Sequence, residues 1–342
     1  MDTRKVQQLG PSTLALTLPA AWARDSGVEK GDEIAIRTTA EGTLTIIPES
    51  AQGEETEATI NVGDFGADAV ERAIIGQYVL GRRVIHVTAE TALEGPHINA
   101  VYSAESQLMG LGVIEETPER ITIRCSVDPE DFDLANLLTR LENTGRTMRH
   151  EAMKSMARRD TDLAERALNR ERQANKIFVL LLRLIFTSYR NPAIAREMGL
   201  EDGFPLIAYR SVAKNLELIA DNAEKMAEIV LDAGGERLGL DDATVRRIRD
   251  HNEQVDELTE LAVEAIVSRD FETAMRANEL FSDLSERELD LMKDLPELSQ
   301  KRLLQVREVL VAMQQTAEHA VRIIEIASNL ALNEPSEFTT IS

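Results

Sequence analysis

The chain of 342 residues is long enough for two or three domains, and its 43% of hydrophobic residues excludes an intrinsically disordered protein. Aromatic residues make up only 4%, which argues against an aromatic surface that stacks single-stranded nucleic acid. Asp and Glu outnumber Lys and Arg by 60 to 38, and the formal net charge of −22 excludes a nucleic-acid surface spread over the whole molecule. Any contact with DNA must therefore be local.

The expected location follows from the charges, the cysteine content and the apolar runs. Only eight residues are lysine, and an acid-rich, lysine-poor composition is typical of a halophile with a high-salt cytoplasm; an ordinary acidic protein is the alternative. The single cysteine, Cys125, allows no internal disulfide. The N-terminus has no signal-peptide pattern, and the most apolar run, residues 177–182, is interrupted at Arg183 and is too short for a membrane span. We expect a cytoplasmic protein without membrane insertion.

The first 49 residues are predicted to be rich in β-structure. Residues 12–18, STLALTL, alternate in the manner of a strand, and a short helix is expected over residues 20–26. A further pair of strands is expected around Gly42, which marks a hairpin turn. Residues 49–57, ESAQGEETE, are polar and indicate a linker.

Residues 58–127 alternate between strand and helix patterns. The predicted elements are strands over 58–62 and 83–88, helices over 66–80 and 98–109, and a hairpin over 112–117 and 120–127. This order indicates a small α/β layer that follows the linker.

From residue 128 onward the periodicity predicts helices almost without a break. The predicted helices are 130–158, 161–190, 204–233, 241–268, 270–294 and 298–332. Similar helix ends and charged corners occur near residues 151–164 and 263–274, which indicates that three helices are followed by three equivalent ones. We therefore predict two all-α three-helix domains, 128–235 and 236–333.

Carboxylates recur at a spacing of four on these helices. Glu217 and Asp221 lie on one face of the third helix, beside its buried stripe, and Glu224 and Glu228 continue the same arc. Comparable steps on the other helices are Glu171 with Asn175, Glu279 with Asp283, and Gln314 with Glu318. Two such helices facing each other would offer four oxygen-rich side chains to a hard or borderline cation such as Mg²⁺, Mn²⁺ or iron.

A solvated charged face is the alternative explanation of this pattern. Acids make up roughly one residue in six, so pairs spaced by four also arise by chance, and like charges on one arc repel one another. The recurrence at matched positions of the two helical sets favours the metal site. It does not exclude the alternative.

The helical part, about residues 130–333, resembles the PhoU family of phosphate-uptake regulators. The segment LELIADNAEKMAE over residues 216–228 is similar to the family pattern ERIGDHAxNIAE, and TAEHAVRIIE over residues 316–325 is similar more loosely. The resemblance implies metal ligands in each three-helix repeat: Glu171, Glu217 and Asp221 in the first, and Glu279, Asp283 and Glu318 in the second. Asn175 and Gln314 stand where the family has carboxylates, so each site lacks one charge. Glu224 and Glu228 have no strong counterpart in the family pattern.

Residues 1–49 resemble an AbrB-type DNA-binding domain. The resemblance lies in GPSTLALTLPAAWARDSGVEKGDEI over residues 10–34, and it implies two chains that exchange hairpins in a homodimer. A segment of this length is also too short to bury a core alone. Candidate phosphate or base contacts are Arg4, Lys5, Gln7, Ser12, Thr13 and Arg24. Because residues 1–49 hold five Lys or Arg against seven Asp or Glu, a dimerisation role without DNA is the alternative.

Together these features predict a multidomain fold: a β-rich AbrB-like swapped-hairpin domain (1–49), a small α/β domain (58–127) and tandem three-helix PhoU-like bundles. The expected function is a non-enzymatic regulator of phosphate uptake, with DNA and a phosphate transporter or sensor protein as partners. A di-metal hydrolase built in the bundle is the first alternative, although no general base or nucleophile is evident. An interaction scaffold that binds neither metal nor DNA is the second.

Overall fold

The structure is a computed structural model that describes residues 3–38, 42–48, 56–198, 200, 204–234, 237–333, 335 and 339–340. Most of the predicted linker, residues 49–55, lies outside the described residues, as does the predicted boundary at residues 235 and 236. The chain forms two compact units, Met1–Thr56 and Glu57–Ser342. The predicted division into four domains stays a prediction.

The first unit consists of two short antiparallel pairs of strands and one helix. Strands β1 (Gln7–Gln8) and β2 (Leu14–Ala15) pair with each other, as do β3 (Ile34–Thr38) and β4 (Leu44–Pro48), with Ile36 opposite Ile46. Helix α1 (Ala20–Asp25) lies between the two pairs in the sequence. Every side chain described in this unit is exposed or half-buried, so this unit has no buried core of its own within the described residues.

The second unit begins with a four-stranded sheet in the order β5-β6-β8-β7. Its strands are β5 (Glu57–Asn61), β6 (Val84–Thr88), β7 (Leu111–Glu116) and β8 (Arg120–Cys125). Helix α2 (Ala67–Val79) connects the parallel strands β5 and β6, and α3 (Gly95–Gln107) precedes the antiparallel hairpin β7–β8. The predicted elements of the α/β layer are all present. Cys125 is buried at the end of β8.

The remaining described chain is helical, and the six long predicted helices are present. They are α4 (Leu134–Arg158), α5 (Thr161–Arg190), α7 (Phe204–Asp232), α8 (Asp242–Ser268), α9 (Phe271–Lys293) and α10 (Gln300–Ala331). A short helix α6 (Pro192–Glu197) and a 3₁₀ turn (Pro129–Asp131) were not predicted. The predicted fold class, a strand-rich N-terminal region followed by a mainly helical part, is confirmed.

Two matching corners support the internal repeat. Helix α4 ends at Arg159 with φ 59°, and Asp160 then caps α5 by accepting a hydrogen bond from the Asp162 amide. Helix α8 ends at Arg269 with φ 53°, and Asp270 caps α9 by accepting hydrogen bonds from the amides of Glu272 and Thr273. Both arginines occupy the left-handed region that non-glycine residues seldom adopt. The same uncommon backbone therefore occurs at equivalent places in the two sets of helices.

The helices pack as two sets of three around one apolar core that is continuous with the α/β layer. Helices α4, α5 and α7 contact one another, as do α8, α9 and α10, and the two sets meet through α7 with α10 and α4 with α8. Leu216, Ile219, Ala223 and Met226 of the predicted stripe on α7 are all buried. None of the helices in the described part of the chain is both long and apolar enough to cross a membrane.

Two buried arginines connect elements of this unit. Arg149 of α4 is fully buried and forms an ion pair with Asp256 of α8, with 2.7 Å between its Nη2 and the Oδ1 atom. Arg183 of α5 donates hydrogen bonds to the carbonyls of Tyr78 at 2.6 Å and Arg82 at 3.0 Å, around the C-terminal end of α2. Neither arginine was identified in the sequence as a connecting residue.

Candidate metal centre and nucleic-acid interface

The first predicted carboxylate set lies where α5 faces α7. The charges of Glu171 on α5 and of Glu217 and Asp221 on α7 act on one another. Partial burial, followed by the neighbouring charge of Glu217, raises the pKa of Asp221 to about 6, and Glu171 adds to the effect. Burial is also the main cause of the raised pKa of the Glu171 carboxyl. Since a carboxylate with a raised pKa gains from a nearby positive charge, Glu171 and Asp221 favour a cation.

Two polar neighbours already satisfy part of this set. Asn175 donates an amide hydrogen bond to the carboxylate of Glu171, the side chain spaced by four that was predicted as its companion. Lys214, one turn before Glu217 on α7, donates to the Glu217 carboxylate and lowers the pKa of Asp221. Sequence reasoning missed Lys214, although its spacing of three from Glu217 was a usable signal. The chain therefore supplies a positive charge of its own to these carboxylates.

Glu224 belongs to the same set, and its carboxyl also has a strongly raised pKa. Partial burial, then the charges of Glu171, Glu228 and Asp221, raise its pKa to about 7. Glu224 and Glu228 were not predicted as metal ligands, because the family pattern offers no strong counterpart for them. Their offsets of seven and eleven from Glu217 place them on the same arc of the helix. Position on the arc was the better guide to electrostatic coupling.

The second predicted set is arranged differently. Glu279 and Asp283 are exposed on α9, and Glu318 on α10 is half-buried. The carboxyl whose pKa is raised beside Glu318 is that of Glu288, mainly through burial and then through the charge of Glu318. Glu288 lies five residues beyond Asp283, so it falls outside the spacing of four that was used to find the site. Gln314, the predicted neutral companion of Glu318, is exposed.

The side chains present fit a hard cation in chemistry but do not converge as a complete ligand set. Within the described ranges, no three His, Cys, Asp or Glu side chains are placed to hold a metal ion. Asp221 is exposed, and the amide of Asn175 is directed to Glu171. The first set of carboxylates therefore attracts positive charge, and a metal ion at either set stays a prediction.

Replacing Glu224 by glutamine is expected to stabilise the protein above pH 7. The pKa of Glu224 is raised from 4.5 to about 7, so between these values the native state holds a proton that the unfolded chain has released. The free energy of unfolding therefore falls as the pH rises through this window, and the glutamine variant escapes that loss. We expect a gain of roughly 1 kcal/mol at pH 8 and little at pH 4.5, because solvent screens this half-exposed group.

Urea denaturation at pH 4.5 and pH 8 measures this effect. Glu257→Gln, a substitution at an exposed position of α8, provides a control with the same loss of charge. An equal gain for both variants at pH 8 would assign the effect to net charge and not to the carboxylate set.

The six candidate DNA contacts lie on the first unit. Gln7 is in β1, Ser12 and Thr13 are in the turn before β2, and Arg24 is in α1. All six side chains, including those of Arg4 and Lys5, are exposed. Arg24 donates to the Ala20 carbonyl of its own helix at 3.3 Å. The side chains are thus accessible to a ligand, while their role in binding DNA stays a prediction.

Comparisons with known proteins match two separate segments. Residues 138–230 match the family model of the PhoU domain, and residues 7–53 match that of "Antidote-toxin recognition MazE, bacterial antitoxin". The solved structure of PhoU from Pseudomonas aeruginosa is similar, with 17% sequence identity and a TM-score of 0.48 over 60% of this chain and 98% of that one. The comparison with curated proteins gives no match.

The matched segments correspond to two parts of the architecture. The PhoU match spans most of α4, all of α5 and most of α7, which are the first set of three helices and carry the first set of carboxylates. The MazE match spans the strand-rich first unit. The two matched segments agree with the predicted resemblances to the PhoU family and, at the N-terminus, to a MazE/AbrB-type domain.

Proposed function

We propose that this protein is a non-enzymatic regulator of phosphate uptake that binds DNA through its first unit and a transport or sensor protein through its helical unit. The observation that carries the proposal is the presence of both family matches, residues 7–53 and 138–230, on one chain. A PhoU domain suggests regulation of phosphate uptake, and a MazE/AbrB-type domain suggests binding of nucleic acid. Their combination on one chain would allow a change in phosphate transport to alter the binding of the protein to a promoter.

The surface of the first unit supports the proposed homodimer. Six large apolar side chains of this unit are more than half exposed: Val6, Leu9, Leu14, Leu16, Ile36 and Leu44. Burial of apolar surface is the main source of stability, and no side chain described here is buried. A second copy of the same segment offers a matching apolar surface. Pairing of two copies would provide the core that one copy lacks.

DNA binding through the first unit is expected to depend on Arg24. Replacing Arg24 by alanine should weaken binding about threefold to tenfold and reduce the slope of log K against log salt by about 1, because one phosphate contact is lost. Fluorescence anisotropy with a fragment of the protein's own promoter measures both quantities. Lys30→Ala, an exposed lysine of the same unit outside the predicted set, is the control. Equal effects of the two variants would contradict the assignment of Arg24.

A divalent cation at the first carboxylate set is expected to stabilise the protein by mass action. Binding to the native state alone raises the melting temperature as Mn²⁺ is added, since the ion offsets repulsion among Glu171, Glu217 and Asp221. Asp221→Asn should remove most of this metal-dependent rise. Asp232→Asn, at the exposed end of the same helix, should keep it. An identical rise in all three proteins would indicate binding elsewhere.

The proposed regulation is tested in cells by promoter occupancy. Chromatin immunoprecipitation in phosphate-rich and phosphate-starved cultures should show a change in occupancy at phosphate-transport promoters. Unchanged occupancy would exclude the link between transport status and DNA. The hydrolase alternative has a separate test, since turnover of a phosphate ester with Mn²⁺ that is abolished by Asp221→Ala would establish an enzyme.

A protein-binding role for the first unit is a second candidate function. The matched family model is described as antidote-toxin recognition, which favours a protein ligand as well as nucleic acid. A salt-dependent gel shift would support DNA binding. A stable complex with a protein partner that is unchanged by Arg24→Ala would support the second candidate.

A further inference from the structure

A cavity of about 270 Å³ lies between α8 and α9, in the second set of helices. One face of α8 and one face of α9 line it, with side chains spaced by three and four residues along each helix. The lining residues are Arg247, Asp250, His251, Gln254, Arg287, Asp290 and Leu291. None of these belongs to the predicted metal sites or to the predicted DNA interface. The cavity is therefore a separate feature of the helical unit.

His251 is the buried polar group of this cavity. Only 5% of the residue is exposed, and its Nδ1 atom has no hydrogen-bond partner in the described part of the chain. Burial, followed by the charge of Arg287, lowers the pKa of the imidazole, so the ring is neutral at neutral pH. A buried nitrogen without a partner destabilises the native state. Nδ1 is itself enclosed, so the other ring nitrogen, Nε2, is the one that a ligand in the cavity can reach.

The charged side chains of the cavity differ in how they are neutralised. Asp250 has Arg249 as a neighbour at 3.1 Å, and Asp290 has Lys293 at 3.3 Å; neither basic residue lines the cavity. Arg287 is exposed and has no carboxylate partner among the described residues. Its guanidinium is thus available to a ligand.

Arg247 adds a second guanidinium at the cavity. It forms an ion pair with Asp294 at 3.1 Å, and since a guanidinium carries five N–H donors, this pair leaves others for a ligand. The cavity therefore combines two guanidinium groups with two carboxylates whose charge is compensated from outside.

We propose that this cavity binds a phosphate group that retains a hydroxyl, either as hydrogen phosphate or as the monoanion of a small phosphate monoester, the form that is favoured below its second pKa of about 6. The anionic oxygens accept hydrogen bonds from Arg287, Arg247 and the ring of His251, which are donors suited to oxyanions. The phosphate hydroxyl donates to the carboxylate of Asp250 or Asp290. Sulfate has no hydroxyl at neutral pH, so the same carboxylates repel its oxygens. A role of this site in sensing phosphate rests on the proposed function, whereas the binding of phosphate to the cavity does not.

Isothermal titration calorimetry of the full chain, in a buffer free of phosphate and sulfate, tests the proposal. The probes are inorganic phosphate, glycerol 3-phosphate and sulfate. We expect one site per chain that binds phosphate at least about tenfold more tightly than sulfate, the difference of one charge-assisted hydrogen bond. Tighter binding of inorganic phosphate or of glycerol 3-phosphate identifies the natural ligand as free phosphate or as a phosphate monoester. Absence of binding by both phosphate probes, or equal binding of sulfate, would overturn the proposal.

Substitutions locate the site. Arg287→Gln should weaken phosphate binding about tenfold or more, and Arg276→Gln, an exposed arginine of the same helix outside the cavity, should leave it unchanged. Asp250→Asn combined with Asp290→Asn should reduce the preference for phosphate over sulfate, since both acceptors of the hydroxyl are lost. Phosphate binding that persists at full strength in Arg287→Gln would overturn the assignment to this cavity.

The outcomes for the site and for the proposed function are distinguishable. Phosphate binding in this cavity with unchanged promoter occupancy would contradict the regulatory function and keep the site. Promoter occupancy that responds to phosphate equally in the wild type and in Arg287→Gln, together with no binding in calorimetry, would contradict the site and keep the regulatory function.

Discussion

Replacing Arg149 by methionine is expected to lower the free energy of unfolding by about 3–5 kcal/mol at pH 7, because it removes the cation from a buried ionic network. Arg149 is fully buried between α4 and α8 and donates to Asp256 at 2.8 Å and to the hydroxyl of Thr259 at 3.2 Å. Thr259 in turn donates to the carboxylate of Glu142 at 3.2 Å, and Glu142 is 3% exposed. Without Arg149, Asp256 loses its cation, and the one cation that Glu142 keeps among the described residues is Arg146 at 3.6 Å.

The lost stability should return in part as the pH falls. Burial already raises the pKa of Glu142, and the charge of Arg149 is the first cause that lowers it. In the methionine variant the pKa rises further, so the native state takes up a proton that the unfolded chain binds only at lower pH. The difference in unfolding free energy between the variant and the wild type should therefore be smaller at pH 5 than at pH 8.

Chemical denaturation of matched variants measures these effects. Arg146→Met provides an exposed comparison on the same network, because Arg146 lies 3.6 Å from Glu142 and pairs with Glu260 at 3.0 Å while 34% of its side chain stays exposed. We expect a loss of about 1 kcal/mol or less there. Arg149→Met combined with Asp256→Asn should recover part of the loss, since one uncompensated charge is removed. Equal losses for Arg149→Met and Arg146→Met would show that burial of the pair does not matter.

Replacing Arg183 by methionine is expected to lower the free energy of unfolding by about 2–4 kcal/mol and to loosen the end of α2. Arg183 is 3% exposed, its guanidinium lies 4.8 Å from the centre of the Tyr78 ring, and it donates to the carbonyls of Tyr78 and Arg82. A buried carbonyl acceptor left without a donor costs about 1–3 kcal/mol, and the Tyr78 carbonyl would keep only the Gly81 amide at 3.0 Å. Hydrogen exchange over residues 67–82 should increase in the variant more than exchange in α8.

Arg190 offers a matched control for this prediction. It lies seven residues later on α5 and donates to the Leu80 carbonyl at 3.0 Å, yet its side chain is exposed. Water can replace its hydrogen bond, so Arg190→Met should cost less than about 1 kcal/mol. Faster exchange over residues 67–82 in both variants alike would contradict a special role for Arg183.

The order of secondary structure could be predicted from the sequence, because each helix has a clear apolar stripe and a recognisable end. The corner residues Asp160 and Asp270 were visible as charged breaks between helices, and both became N-caps. Helix α6 was missed because six residues contain too few turns for a periodic signal. The segment that begins at Asn191-Pro192 was interpreted as a break between two long helices.

The candidate site was harder to predict, because contacts between helices depend on side-chain geometry, which the spacing of residues along the sequence does not specify. The arc on α7 was found, and its coupling to Glu171 across the helix pair is present. Lys214 and Glu288 were missed because the search looked for acids spaced by four. The cavity at His251 was missed as well, since its seven lining residues are of mixed type and only their positions on two facing helices bring them together.

Lys214 has a consequence for how ions exchange at the first carboxylate set. Its ammonium is tethered one helical turn from Glu217, so its effective concentration at that carboxylate exceeds that of any free ion in dilute solution. A metal ion that binds Glu217 must first displace this tethered charge. The apparent affinity of the set for a metal ion would then be lower, and binding of the ion would release Lys214 for another partner.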